Sequence, residues 1–198
     1  MRNQLASLIV LLAFPALLSA QRNNIIKLDL HAPIFRTGIV TYERVANENV
    51  SFLLSVLYSD KTQEMSNSDY LTRIAVTPEF RYYLQDFAAP RGFFVGGYLR
   101  YQWMRSEQLS YGYDSSTGLS YSTGYTSKEI STFGLGINVG IQEVFKDRIA
   151  VELFIGPLWN SGDEQRDLSD PTSTEPNERF KPYVGYFMRT GVNVGIAF

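Results

Sequence analysis

The chain has 198 residues, carries 18 Lys and Arg against 20 Asp and Glu for a formal charge of −2, and contains no cysteine. That balance, without a basic run, excludes the electrostatic footprint of a nucleic-acid binder; the lack of thiols excludes disulfide staples, a lipid-modified N-terminal cysteine and thiol chemistry. Tyr and Phe at 13 each, with 15 Gly, point to a β-rich chain.

The first segment reads as an address. Arg2 precedes an uncharged apolar run from Leu5 to Leu18, and Leu18-Ser19-Ala20 offers a small residue before a cut. The run is shorter than the ~20 residues a spanning helix needs, so residues 1–20 are expected to be a cleaved secretory signal peptide. Residues 21–198 are then one exported domain.

From there a period of two recurs, which sets alternate residues on opposite faces of a strand. Ile25 to His31 sets Ile26, Leu28 and Leu30 against Lys27 and Asp29. Gly38 to Val45 sets Val40 and Tyr42 against Thr41 and Glu43, and the turn-forming 46–49 follows. Val50 to Tyr58 alternates Phe52, Leu54 and Val56 with Ser51, Leu53 and Ser55, ahead of a polar connection at 59–69. Tyr70 to Leu84 opposes Ile74, Val76, Phe80 and Tyr82 to Arg73, Thr77, Glu79 and Arg81. After a short link at 86–92, Phe93 to Trp103 sets Val95, Leu99 and Tyr101 against Gly96, Tyr98, Arg100 and Gln102.

Residues 107–127 read as a long polar connection. Thr132 to Ile141 alternates Phe133, Leu135, Ile137 and Val139 with Gly134, Gly136, Asn138 and Gly140. Lys146-Asp147 is a minimal turn, and Arg148 to Trp159 sets Ile149, Val151, Leu153 and Ile155 against Ala150, Glu152 and Gly156. A second polar stretch, 161–179, leads into Tyr183 to Phe198. There Val184, Tyr186, Met188, Thr190, Val192, Val194 and Ile196 oppose Gly185, Phe187, Arg189, Gly191, Asn193, Gly195 and Ala197.

About eight strands, most near the about 9–11 residues that cross a bilayer, predict an all-β fold: a single up-and-down antiparallel transmembrane barrel. The links at 46–49, 86–92 and 146–147 are short and alternate with long hydrophilic ones, as periplasmic turns alternate with outer loops. A soluble lipocalin-like barrel is the structural alternative, with the apolar set turned inward. The polar faces hold Lys27, Asp29, Glu43, Arg73, Glu79, Arg81, Arg100, Glu152 and Arg189. Inside an eight-stranded barrel, whose lumen side chains fill, these charges must pair with one another or with trapped water. Such a lumen is not an open pore.

These features resemble the small eight-stranded outer-membrane barrels of the OmpA/OmpX type. The terminal Val192, Val194, Ile196 and Phe198 are similar to the C-terminal signal read by the barrel-assembly machinery of Gram-negative bacteria. Tyr42-Glu43-Arg44, the run from Thr77 to Tyr83 and Pro90-Arg91-Gly92-Phe93-Phe94 resemble a Bacteroidetes-type outer-membrane domain family of unknown function. The resemblance implies a fold, a location in the outer membrane and contact with its lipid. It implies no activity.

An enzyme that modifies lipid A or phospholipids would need a nucleophile and an oriented His base. The one histidine, His31, is followed by Ala32-Pro33-Ile34 rather than a serine, though Asp29 shares its face. No catalytic residue is assigned. With no Cys and one His, no soft-ligand metal cluster is available, and the acidic run 162–170 lacks EF-hand spacing; no metal or other cofactor is expected. The stretch around 107–127 is the candidate surface for an extracellular protein or cell-surface partner. Its Tyr111, Tyr113, Tyr121 and Tyr125 flank a turn-prone segment, and a hairpin there would protrude with an exposed edge. A structural or surface-interaction barrel therefore leads, followed by a lipid-modifying enzyme and a soluble periplasmic carrier.

Overall fold

The computed structural model describes residues 23–63, 69–84, 88–114, 118–162, 164–167, 174–176 and 183–198. The expected signal peptide, residues 1–20, lies outside them. Ten strands follow in order: β1 (Asn24–Asp29), β2 (Thr37–Val45), β3 (Val50–Gln63), β4 (Asp69–Leu84), β5 (Gly92–Asp114), β6 (Leu119–Phe145), β7 (Ile149–Ser161), β8 (Glu164–Asp167), β9 (Thr174–Pro176) and β10 (Gly185–Ala197). A 3₁₀ turn, Ala32–Phe35, joins β1 to β2, and Arg36 ends it in the left-handed region at φ 51°.

Sequential strands from β1 to β7 pair antiparallel, β10 pairs with β7, and β1 pairs with β10. The result is a closed, eight-stranded up-and-down barrel. At its seam Ile25 faces Ala197 and Asp29 faces Asn193. The seam is finished by Phe198, whose N–H donates to the Asn24 carbonyl at 2.8 Å while the Asn24 N–H donates to the Phe198 carbonyl at 3.2 Å. The remaining two strands form a small hairpin, with β8 joined to β6 through Lys128 and Glu129.

The links at 46–49 and 146–147 lie at one end of the barrel with 88–91, the described part of the third short link. Lys146 and Asp147 both take positive φ, 50° and 57°, and the Arg148 N–H returns to the Phe145 carbonyl at 3.0 Å. That is the primed two-residue turn whose twist suits a hairpin.

At the opposite end the strands outrun the sequence reading. Residues 107–114 and 119–127 are not a loop: β5 and β6 continue through them as a two-stranded ribbon, paired from Glu107↔Ser127 to Asp114↔Leu119. The 59–69 connection is likewise shortened by β3 and β4, and 161–179 contains β8 and β9. Past the barrel rim no interior separates the two faces of a strand, so apolar alternation stops. The backbone ladder needs no such contrast, and Tyr, Ser and Thr sustain it.

Within the barrel, the polar set points inward. Lys27 is 1% exposed, whereas its neighbours Ile26 and Leu28 are 45% and 56% exposed. This arrangement is the reverse of the lipocalin alternative. Small inward residues make room for large ones on the neighbouring strands: a Cβ on Gly136 would lie 2.5 Å from the ring of its cross-strand partner Tyr98 and 2.5 Å from the Pro157 carbonyl oxygen. Some of the inward apolar residues gather in three small clusters. Ile25, Val144, Ala150 and Ala197 sit at the short-turn end, Tyr83, Phe94 and Phe154 sit above them, and Leu71, Met104 and Ile130 lie near the long-loop rim.

Candidate functional site

Alternation on five different strands delivers charge to the lumen, and the closed ring brings those charges within contact. Lys27 of β1 meets Glu43 of β2 at 2.6 Å and pairs with Glu152 of β7. Arg81 of β4 pairs with Glu79 on its own strand and reaches across to Glu152 with both terminal nitrogens, at 2.8 and 2.9 Å. Arg189 of β10 donates to the second oxygen of Glu79 at 2.8 Å. Three cations thus meet three carboxylates in one contiguous network, and all but Arg189 are essentially sealed from solvent.

Neutral groups complete it. Ser51 and Tyr83 donate to Glu43 at 2.6 and 2.7 Å, Asn193 donates to Glu152 at 3.1 Å, and Gln142 bridges Glu43 and the Pro90 carbonyl. The guanidinium of Arg81 also lies 4.0 Å from the centroid of the Phe94 ring. Such satisfaction is what a buried charge cluster requires, because each unpaired ion there costs several kcal/mol.

The other predicted lumen residues do not join this network. Asp29 turns one oxygen to the backbone, accepting the N–H groups of His31 and Ala32 at 2.8 and 2.9 Å. It therefore holds the start of the 3₁₀ turn. Arg73 donates to Thr37 at 3.3 Å and lies over the Tyr183 ring at 5.5 Å, while its Nε finds no acceptor among the described residues. Arg100 spends Nε and one terminal nitrogen on the single side-chain oxygen of Gln102, at 3.1 and 2.8 Å. Both arginines line a cavity of about 760 Å³ in the long-loop half of the lumen, with Asp29, Asn160 and Arg189.

His31 is exposed at the rim of the same cavity. Among the described residues no group of three or more His, Cys, Asp or Glu is placed to hold a metal ion. On β10, Val192 and Ile196 turn outward and Val194 is half-buried, while Phe198 serves the seam. The backbones of Tyr111, Tyr113, Tyr121 and Tyr125 lie in the ribbon, opposite Ser122, Ser120, Gly112 and Leu109. Their side chains lie outside the described residues. From Leu109 to Thr126 neither edge of that ribbon pairs with another described strand.

Sequence reading missed two members of the charge network. Gln142 continues the inward series Gly134, Gly136, Asn138 and Gly140 by one more step, and Tyr83 follows Arg81 at the same spacing. Carrying the alternation to the end of the fourth strand finds Tyr83, and extending the sixth strand beyond Ile141 finds Gln142.

No curated protein and no solved structure matches the chain. A family model does match, over residues 6–198, and by that match the chain belongs to the family described as "Protein of unknown function (DUF3575)".

Proposed function

We propose that the protein is an integral barrel of the Gram-negative outer membrane with a structural or surface-interaction role and no catalytic one. One observation carries this reading: the molecule is inside out, with its charges buried in the lumen and its apolar side chains exposed around the wall. Water would oppose such a wall, since soluble monomers rarely expose contiguous apolar patches beyond a few hundred Å². Lipid favours it.

The dimensions agree. From Ile149 to Trp159 strand β7 runs about 33 Å, and at a tilt of about 40° that rises about 25 Å, the height of a barrel's apolar band. The outward aromatics also sort by height. Phe52, Phe80, Tyr82, Phe93 and Phe145 lie toward the short turns, whereas Tyr58, Tyr101, Phe133, Trp159 and Tyr186 lie toward the long connections. Aliphatic residues such as Leu54, Val56, Ile137 and Val139 occupy the middle. Two aromatic girdles around an aliphatic belt suit two membrane–water interfaces.

In this reading a signal peptide exports the chain, the assembly machinery engages the strand ending at Phe198, and the short turns face the periplasm. The β5–β6 ribbon then stands outside the cell, where its unpaired edges suit strand addition by an extracellular partner. The test is fractionation with gel analysis. The protein should sediment with outer membranes, require detergent for extraction, and change gel mobility on boiling. Recovery as a water-soluble periplasmic protein would defeat the proposal.

A further inference from the structure

The lumen charges divide by height into two groups with different balance. Toward the short turns, Lys27 and Arg81, with Arg189 reaching in from the cavity wall, are matched by Glu43, Glu79 and Glu152. Toward the long connections, among the described residues lining the cavity, stand Arg73 and Arg100 with Asp29 as the one carboxylate, and one oxygen of Asp29 is already engaged by backbone N–H groups. Among the described residues no carboxylate pairs with either arginine. Arg100 moreover shares the cavity wall with two like charges, Arg73 and Arg189. A guanidinium carries five N–H donors, and these two direct only part of that capacity to neutral oxygens.

Cations gathered without counter-charge at the wall of a cavity are costly unless an anion completes them. The same cavity offers apolar wall as well, from Ile39, Leu57, Phe154, Leu158 and Phe187. Its volume of about 760 Å³ is far larger than one oxyanion and falls in the range of small-molecule sites. We propose that the long-loop half of the lumen binds an organic oxyanion, a carboxylate or phosphate bearing an apolar body, through the forks of Arg73 and Arg100. The planar fork of arginine suits both heads by paired, charge-assisted hydrogen bonds, and the apolar wall receives the body. This site depends on the barrel and its lumen, and holds wherever the barrel resides.

The experiment uses the folded full chain in neutral detergent micelles. Hexanoate and hexyl phosphate are the probes, with 1-hexanol and inorganic phosphate as controls, followed by calorimetry and by the side-chain Nε–Hε resonances of arginine. Either anionic probe should saturate at one equivalent and move the Arg73 and Arg100 resonances; the head that binds more tightly identifies the preferred oxyanion. Hexanol and inorganic phosphate should each bind at least about tenfold more weakly. The R73Q/R100Q variant removes two like charges, should keep its heat-dependent gel mobility, and should lose at least about tenfold in affinity. Unmoved Arg73 and Arg100 resonances at probe saturation would overturn the proposal without recourse to any variant. So would hexanol or inorganic phosphate binding as tightly as the anionic alkyl probes, or full affinity in folded R73Q/R100Q.

Discussion

Replacing Glu152 by Gln removes the charge at the centre of the lumen network while keeping the side chain's size. In the native protein its carboxylate takes both terminal nitrogens of Arg81 at 2.8 and 2.9 Å, the Lys27 ammonium, and the Asn193 amide at 3.1 Å. The amide offers one oxygen in place of two and brings donors of its own toward three donor groups. Three cations would then face two carboxylates, with Lys27 and Arg81 each about 1% exposed. Breaking a buried pair by removing one partner costs about 3–5 kcal/mol. With a denaturant slope of about 2 kcal/mol/M, the urea midpoint should fall by about 1.5–2.5 M. The comparison is Glu107→Gln, which breaks the 3.4 Å pair with Arg105 on a surface where both side chains are about a third exposed. That change should cost under about 1 kcal/mol. Adding Arg81→Met to Glu152→Gln restores equal numbers of both signs, keeps the Lys27–Glu43 and Arg189–Glu79 pairs, and should recover much of the loss. Urea unfolding of the three variants in lipid vesicles, followed by heat-dependent gel mobility, reads the result. If Glu152→Gln shifts the midpoint no more than Glu107→Gln, the network is not holding the barrel as its geometry implies.

Two further changes test the wall and the seam. Gly136→Ala forces a methyl into the Tyr98 ring and the Pro157 carbonyl, whereas a Cβ at Gly97 meets nothing within 4 Å. The first should destabilise by more than about 1 kcal/mol and the second should be neutral or slightly stabilising; equal effects in thermal melts would contradict the packing. Deleting Phe198 removes both backbone bonds to Asn24 at the seam but no lumen charge. Membrane-inserted yield in cells should fall steeply while refolded protein keeps most of its urea resistance, and normal insertion would count against an assembly role.

The barrel itself was legible because its wall has two faces. Ile26, Lys27, Leu28 and Asp29 declare in four residues which way each side chain points, and the same logic holds on every strand that separates an interior from an exterior. Legibility ended where that separation ended, so the polar run from Glu107 to Ser127 looked like a loop although its backbone pairs from Glu107↔Ser127 to Asp114↔Leu119, with one register shift at Ser110/Tyr111. The partnerships inside were not legible either. Alternation sends Lys27 and Glu152 inward, but whether they meet depends on strand tilt and stagger around the closed ring. Nor did a near-balance of signs along the sequence disclose that, among the described residues, Arg73 and Arg100 pair with no carboxylate. Height along the axis, which only the fold supplies, divides the nine charges into a neutral cluster and a cationic cavity.

The reach of Glu152 has a consequence for the order of events in folding. Its partners Lys27 and Arg81 lie on β1 and β4, neither of which is a sheet neighbour of β7. The contacts cross the lumen, and Lys27 arrives only when the first strand has zipped to the last. Ladder growth through consecutive hairpins therefore proceeds without them, and they are gained at closure. Interactions absent from a folding transition state leave the folding rate nearly unchanged and act on the rate of unfolding. Where closure follows the transition state, the Glu152 contacts thus act as a latch, setting how long the closed form lasts rather than how quickly it is reached.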